Sequence, residues 1–228
     1  MPFAARWLDD GDLDALYALH DKVVRNVDHP HMFRADTRAF MAKQLDRRGR
    51  TVGAFVGEAI VAYAAISFPD ADPDNLGRDL PLTAQQLDRV ADYDGSAVDP
   101  TYRGNGLQRL LSEIRNAYAL SCGRHHILGT VSPLNPVSLA NFLKLGFRVR
   151  GLKPKYGGAL RYLIHRDLAA EPPALAPTGE AIAAPMADIA LQETLLGEGL
   201  VGIEVLPGAG GPRLCFVREA ALPAARAA

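Results

Sequence analysis

The sequence predicts an α/β fold on three observations: strand-like and helical runs alternate from Phe3 to Leu168, a glycine-bearing loop joins a strand to a helix at residues 98–108, and a second, fully capped helix follows it. Phe3 to Leu8 reads as a first strand, Asp12 to Val24 as a helix begun by an Asp cap, and Asp36 to Leu45 as a second helix. Thr51 to Val56 and Ile60 to Phe68 flank the turn Gly57-Glu58-Ala59 and read as a hairpin. Asp92 to Val98 is the strand before the loop. Leu107 to Ser121 is the helix after it, with Leu107, Leu110, Leu111, Ile114 and Tyr118 on one face. Ile127 to Val131 reads as a further strand, and Phe147 to Leu152 with Ala159 to His165 as a closing hairpin around Lys155-Tyr156-Gly157-Gly158.

The loop itself is Val98-Asp99-Pro100-Thr101-Tyr102-Arg103-Gly104-Asn105-Gly106-Leu107-Gln108. The first amides of a helix lack intrahelical partners and sit at the positive end of its dipole, so a loop that allows close approach there cradles an anion such as a pyrophosphate. Gly104 and Gly106 allow it. Neither a dinucleotide fingerprint nor a P-loop fits, because Arg109 stands where the third glycine belongs and no Gly-Lys-Ser/Thr is present. The later helix has Asn135 as N-cap, Pro136 at its first position, and Gly146 as its stop.

The two segments together resemble the GNAT acyltransferases. Arg103, Gly106 and their spacing fit the coenzyme A pyrophosphate motif Q/R-x-x-G-x-G/A, with Gln108 replacing the usual Gly or Ala; Asn135, Ser138, Phe142, Lys144, Gly146 and Phe147 fit N-x-x-[SA]-x-x-x-[YF]-x-K-x-G-F. The resemblance implies a mixed sheet whose parallel central strands splay to admit the pantetheine arm, with flanking helices. It implies acetyl-CoA as co-substrate, no metal, and a coenzyme A site at Val98, Arg103, Gly104, Asn105, Gly106, Leu107, Gln108, Asn135, Ser138 and Asn141.

The activity it implies is transfer of an acetyl group to a primary amine of a small molecule by direct attack. Asp92, Asp94 and Ser96 are expected on one face of their strand, since side chains alternate, and Asp94 is preferred over Asp92 as the base. The Tyr that commonly protonates the thiolate in this family is replaced by Phe142, so solvent, Tyr156 or Ser138 takes that role, or the chain binds acyl-CoA as a regulatory module without efficient transfer. Tyr156-Gly157-Gly158 with Arg161 lines the acceptor pocket or is only a hairpin turn. His125 and His126 are read as surface residues.

Composition is consistent with this. The chain has 228 residues, 48% of them hydrophobic, enough for a sizeable core, and no apolar run approaches the ~20 residues of a membrane span. Asp9, Asp10 and Asp12 precede any signal-like apolar stretch, so a cytoplasmic location is expected. Cys122 and Cys215 suit neither a disulfide framework nor a metal site and are read as buried thiols. Net charge is −1, yet Arg103 to Arg166 holds eleven Lys or Arg against one acid, Glu113. That field suits a polyanionic cofactor, with a nucleic-acid surface as the rival reading.

Two segments fall outside the common pattern. Pro69 to Val90 is a long acidic loop, with a short helix capped by Thr83, that is expected to lid the acceptor site, to select a cation, or to be of no consequence. Beyond a GNAT domain at 1–168, an Ala/Pro-rich linker at 169–184 leads to a small helix-plus-hairpin extension at 185–219, its helix expected at Pro185 to Glu198, and a tail at 220–228. The extension is expected to dock on the first domain, extend its sheet, or pair with a second chain as a homodimer.

Overall fold

A computed structural model describes residues 3–46, 49–170 and 181–219. Strands β1 (Ala4–Trp7), β2 (Gly49–Val56), β3 (Ala59–Ser67), β4 (Val90–Val98), β5 (His126–Val131), β6 (Arg148–Lys155), β7 (Ala159–Asp167), β8 (Ile182–Pro185), β9 (Leu200–Leu206) and β10 (Arg213–Arg218) form one sheet in the order β1-β2-β3-β4-β5-β7-β6-β9-β10-β8. The helices are α1 (Leu13–Arg25), α2 (Arg38–Asp46), α3 (Ala84–Leu87), α4 (Leu107–Ser121), α5 (Pro136–Lys144) and α6 (Ile189–Gly197). Among the described residues β4 and β5 are the parallel pair, as expected of a strand–helix–strand crossover.

Helices cover both faces. On one, Leu16, Leu19, Val23, Met41 and Leu45 of α1 and α2 pack on Phe55, Tyr63 and Ala97. On the other, Leu107 and Leu111 of α4 pack on Val52, Ala54, Val61 and Ala64, and Leu139 and Phe142 of α5 on Tyr93 and Phe147. Each fully buried leucine contributes about 2 kcal/mol through burial. The apolar stripe read from residues 107–118 is therefore the buried face of α4, extended by Arg115, which is fully buried.

Pairing of β4 with β5 runs from Val90↔His126 to Tyr93↔Gly129 and stops. From there β4 follows β3 out to Val98↔Ala62, while β5 follows β7 to Val131↔Tyr162. The strands splay as expected. A bulge also lies in β4, where Ser96 opposes Ala64 and Tyr93 opposes Ile66. The extra residue resets the alternation: Tyr93 faces α4 and α5, Asp94 faces Gln44 of α2, and Ala97 packs with α1. Ser96 is thus turned to the face opposite Asp92 and Asp94, which corrects the expectation that all three share one side.

Other local expectations also shift. The cap before α1 is Asp9, which bonds to the amide of Gly11 in a preceding 3-10 turn; Asp12 instead accepts from Arg6 and from the Asp9 amide and does not cap α1. Asn135 caps α5 through the Ser138 amide, and Thr83 caps α3, as read. Cys215 is buried but Cys122 is exposed, and both thiols are free.

The C-terminal elements continue the same sheet. β9 meets β6 at Val149↔Gly202, where a Cβ on residue 202 would lie 2.9 Å from that of Val149, so the close approach needs glycine. Helix α6 begins at Ile189, capped by Asp188, because Ile182–Pro185 is spent on β8. Gln192, fully buried, accepts from Tyr162 Oη at 2.6 Å and donates to the carbonyls of Pro185, Met186 and Asp188, joining α6 to β7 and β8. Most of the linker read at 169–184 and the tail at 220–228 lie outside the described residues.

At the start of β5, His126 is buried rather than on the surface, with Nδ1 3.2 Å from Nε2 of His165, while His125 is half-buried and pairs with Asp167 at 3.1 Å. The donor atoms of His125, His126 and Asp167 lie within 4.8 Å of one another, and these pairings account for them. Burial, with Arg150 and His126 beside it and Asp167 opposing, holds His165 down at about 3. The unfolded chain therefore binds a proton that the native state refuses, so this site favours the fold above about pH 6.5 and the advantage is lost as pH falls towards 3. The contribution of His165 is read by difference: from pH 7.5 to 5 the melting temperature of His165→Phe is expected to rise relative to that of the unmutated protein, since the raised carboxyls described below act with the opposite sign and are common to both.

Candidate active site

The site forms where β4 and β5 part. A cleft of about 1380 Å³ runs from the loop before α4, past Ser96, Ala97 and Val98 on β4, to Asn135, Ser138 and Asn141 on α5. Gly106 is the N-cap of α4 at φ 73°, with no side-chain cap, and Gly104 sits at φ 81°. A Cβ at either would meet nothing within 4 Å, so the backbone lies open to the cleft. The Leu110 amide already bonds to the Gly106 carbonyl, while those of Leu107, Gln108 and Arg109 precede the first intrahelical partner. Three amides without intrahelical partners therefore point from the positive end of α4 beside an unobstructed backbone, which is the geometry an anion cradle requires.

Arg103, Arg109 and Lys144 line the same cleft and place positive charge around the cradle. Asn105 does not line it; its amide turns back to the carbonyls of Tyr102 and Arg103 and holds the loop's shape. Gln108 bridges two helices, donating to Ser138 Oγ at 3.3 Å and accepting from Asn141 Nδ2 at 2.8 Å. Asp99, buried, accepts from the Thr101 amide and pairs with Lys22 at 2.6 Å, fixing the end of β4 to α1.

A second, smaller cavity of about 120 Å³ opens beside the first, and Ser96, Asn135 and Ser138 line both. Its wall holds Asp94, Asp36, Arg34, Thr130, Tyr156 and Arg161. Asp94 accepts from Gln44 at 2.9 Å, and burial pushes its carboxyl up against the pull of Ser67, Gln44, Arg34 and Arg115. Asp36 is raised to about 6, by burial and then by Asp94 against Arg34, which pairs with it at 2.8 Å. Asp36 also abuts the bulge, its Oδ2 being 3.2 Å from where a Cβ on Gly95 would lie. Its amide donates to His20 Nε2, so the His20 Nδ1 proton faces Tyr63 Oη at 2.7 Å. Asp92 is buried outside this cavity with Oδ1 unpartnered and Oδ2 accepting from the Leu76 amide at 3.4 Å, and burial with Asp94 beside it holds its carboxyl well above the usual range.

Tyr156 sits at φ 50°, its hydroxyl 3.2 Å from Thr130 Oγ1 and its ring beneath the Arg34 guanidinium. Tyr156 is 46% exposed as a residue, while desolvation at its hydroxyl end, where it meets Thr130 in the cavity, raises its phenol, so it keeps its proton. Phe142 is buried against Tyr93 and Phe147. The acidic loop at 69–90 lines neither cavity. Its Leu76 packs on Val90, Leu128 and Leu163, Asp79 pairs with Lys153 and Lys155, and Asp70 with Arg124.

Sequence reading missed Arg34 and Asp36 as pocket residues, since nothing in a short charged stretch marks its fold neighbour. It missed Arg115 too, although an arginine between Leu111 and Ala119 on a buried face was a signal. Arg115 stacks on Tyr93 and donates to the Ala65 carbonyl opposite the bulge at 2.9 Å, and so supports the strand that carries Asp94.

A family model for the acetyltransferase (GNAT) family matches residues 13–147. The chain belongs to the GNAT acetyltransferase family. Solved acetyltransferase structures share its fold: one of the GNAT family from Streptococcus pneumoniae (21% identity, TM-score 0.56, 73% of this chain and 99% of that one), a GNAT superfamily phosphinothricin acetyltransferase from Sinorhizobium meliloti in complex with acetyl-CoA (20%, 0.57, 75% and 94%), and a putative acetyltransferase from Salmonella typhimurium with its cofactor acetyl-CoA (19%, 0.55, 77% and 99%). No curated protein matches. As a GNAT protein the chain is an acyl-transferring enzyme, and no described helix is long and apolar enough to cross a membrane.

Proposed function

We propose that this GNAT protein transfers an acetyl group from acetyl-CoA to the primary amine of a small molecule, by direct attack with both substrates bound. The observation that carries this reading is the meeting of the two cavities: an open helix N-terminus lies in the large one, a raised carboxylate in the small one, and Ser96, Asn135 and Ser138 line both. Family membership and the acetyl-CoA complexes of the neighbours support it. The cradle amides of Leu107, Gln108 and Arg109, with Arg103, Gly104 and Gly106, hold the pyrophosphate; Val98 borders the pantetheine path, and Asn135, Ser138 and Asn141 face it from α5.

Bound acetyl-CoA supplies the thioester carbonyl. Asp94 takes the proton of the amine as its nitrogen bonds to that carbon, and Tyr156 gives its proton to the sulfur as the carbon–sulfur bond breaks. Positioning both partners at the junction supplies much of the rate. Ser138, already bonded to Gln108, is the weaker candidate for the acid. Direct attack is tested on intact protein: incubation with acetyl-CoA alone should leave the protein mass unchanged, and acetylated amine should form only when acceptor is added. An acetylated protein that then discharges to the amine would contradict it.

A further inference from the structure

One cation of the small cavity has no acid paired with it. Arg161 is only 6% exposed and lines the cavity, yet among the described residues its side chain bonds only to the adjacent Leu160 carbonyl, at 3.0 Å, and pairs with no acid. None of its nitrogens is sealed off without a partner, so its free donors open onto the cavity and are available to a ligand's acceptors. The other guanidinium of the cavity, Arg34, is already paired with Asp36 and stacked on Phe40 and Tyr156.

Sheet register puts the unused cation and the acid on one floor. Val90, Leu128 and Leu163 form one cluster on a single face. Asp92 and Asp94 follow Val90 on that face of β4, Thr130 follows Leu128 on β5, and Arg161 lies two residues from Leu163 on β7, where Leu163 opposes Thr130. Asp94 and Arg161 therefore border the same small space from two strands, with Thr130 on the strand between them. The cavity, of about 120 Å³, is small beside the cleft it adjoins and suits a compact group.

We infer that the acceptor is a small zwitterion, an amine with a carboxylate near it, and that Arg161 holds the carboxylate while Asp94 faces the amine. This rests on the acetyl-transfer reading and names its substrate class. A planar guanidinium binds a carboxylate through two parallel hydrogen bonds, which fixes the amine's direction as well as its affinity. A free amino acid meets both demands. The N-terminus of a peptide does not, because its neighbouring carbonyl is uncharged.

The test uses the free L-amino acids and their C-terminal amides, which keep the side chain and remove the carboxylate charge; because amidation also makes the ammonium more acidic, rates are compared per unprotonated amine. Thiol release from acetyl-CoA is expected to show kcat/KM for the best amino acid at least about 30-fold above its amide, mainly through KM. Arg161→Gln should collapse that ratio and Arg161→Lys restore part of it. The comparison on the unmutated protein needs no variant to fold. Thermal shift of the coenzyme A complex by amino acid against amide reads the same subsite without turnover. Amides that serve as well as acids would overturn the carboxylate subsite and leave acetyl transfer standing. Arg161-dependent amino-acid binding without turnover would support the subsite and count against transfer, whereas neither binding nor turnover of amino acids, with thiol release by other primary amines, would overturn the subsite alone.

Discussion

Replacing Gly106 by valine is expected to weaken coenzyme A binding on the order of 100-fold while leaving the fold in place, as read by calorimetric titration beside a melting curve. The two effects separate for a physical reason. Residue 106 sits at φ 73°, where a non-glycine residue is strained by about 1–2 kcal/mol, but a Cβ there meets no protein atom within 4 Å. The space it would fill is the anion's approach to the Leu107, Gln108 and Arg109 amides. Gly104→Ala, at φ 81° and equally unobstructed, adds a smaller group farther from the helix end and should cost less. Loss of folding without loss of affinity in the remaining native protein would contradict the cradle.

Asp94→Asn is expected to lower kcat about 100- to 10,000-fold, the usual range for loss of a general base, with coenzyme A affinity unchanged. Asp94 borders the small cavity, and its raised carboxyl gains basicity as it loses charge stability. The rate should therefore fall on the acid side as that carboxyl protonates, and this limb should vanish in the variant. Asp36, raised to about 6 beside it, contributes a second titration that Asp36→Asn would remove. Asp92→Asn gives the contrast: Asp92 lies outside the cavity with a buried unpartnered oxygen, so its neutral isostere should retain most activity and melt at a higher temperature above the carboxylate range. An Asp92 defect larger than that of Asp94 would reverse the assignment.

Much of this was legible in residues because local chemistry dictated it. Gly104 and Gly106 are at positive φ as their loop required, Asn135 caps α5, and Leu107–Ser121 runs as its apolar stripe foretold. What could not be read depends on pairing between distant segments. The bulge in β4 turns Ser96 away from Asp94, and only the register against Ala64 and Ile66 reveals it. Asp36 and Arg34 reach the cavity because α1 and α2 pack over β3 and β4, which no short-range pattern encodes. His126 lies beside His165 because β5 pairs with β7. Gln108 departs from the family pattern, and the structure shows it tied to Ser138 and Asn141 across the cleft.

The most direct measurement is release of coenzyme A thiol from acetyl-CoA by the unmutated protein, with and without a panel of primary amines. Release that depends on the amine, saturates in both substrates and fails in Asp94→Asn is the expected result. Tight coenzyme A binding with no amine-dependent release, or release unaffected by loss of the Asp94 carboxylate, would contradict the account.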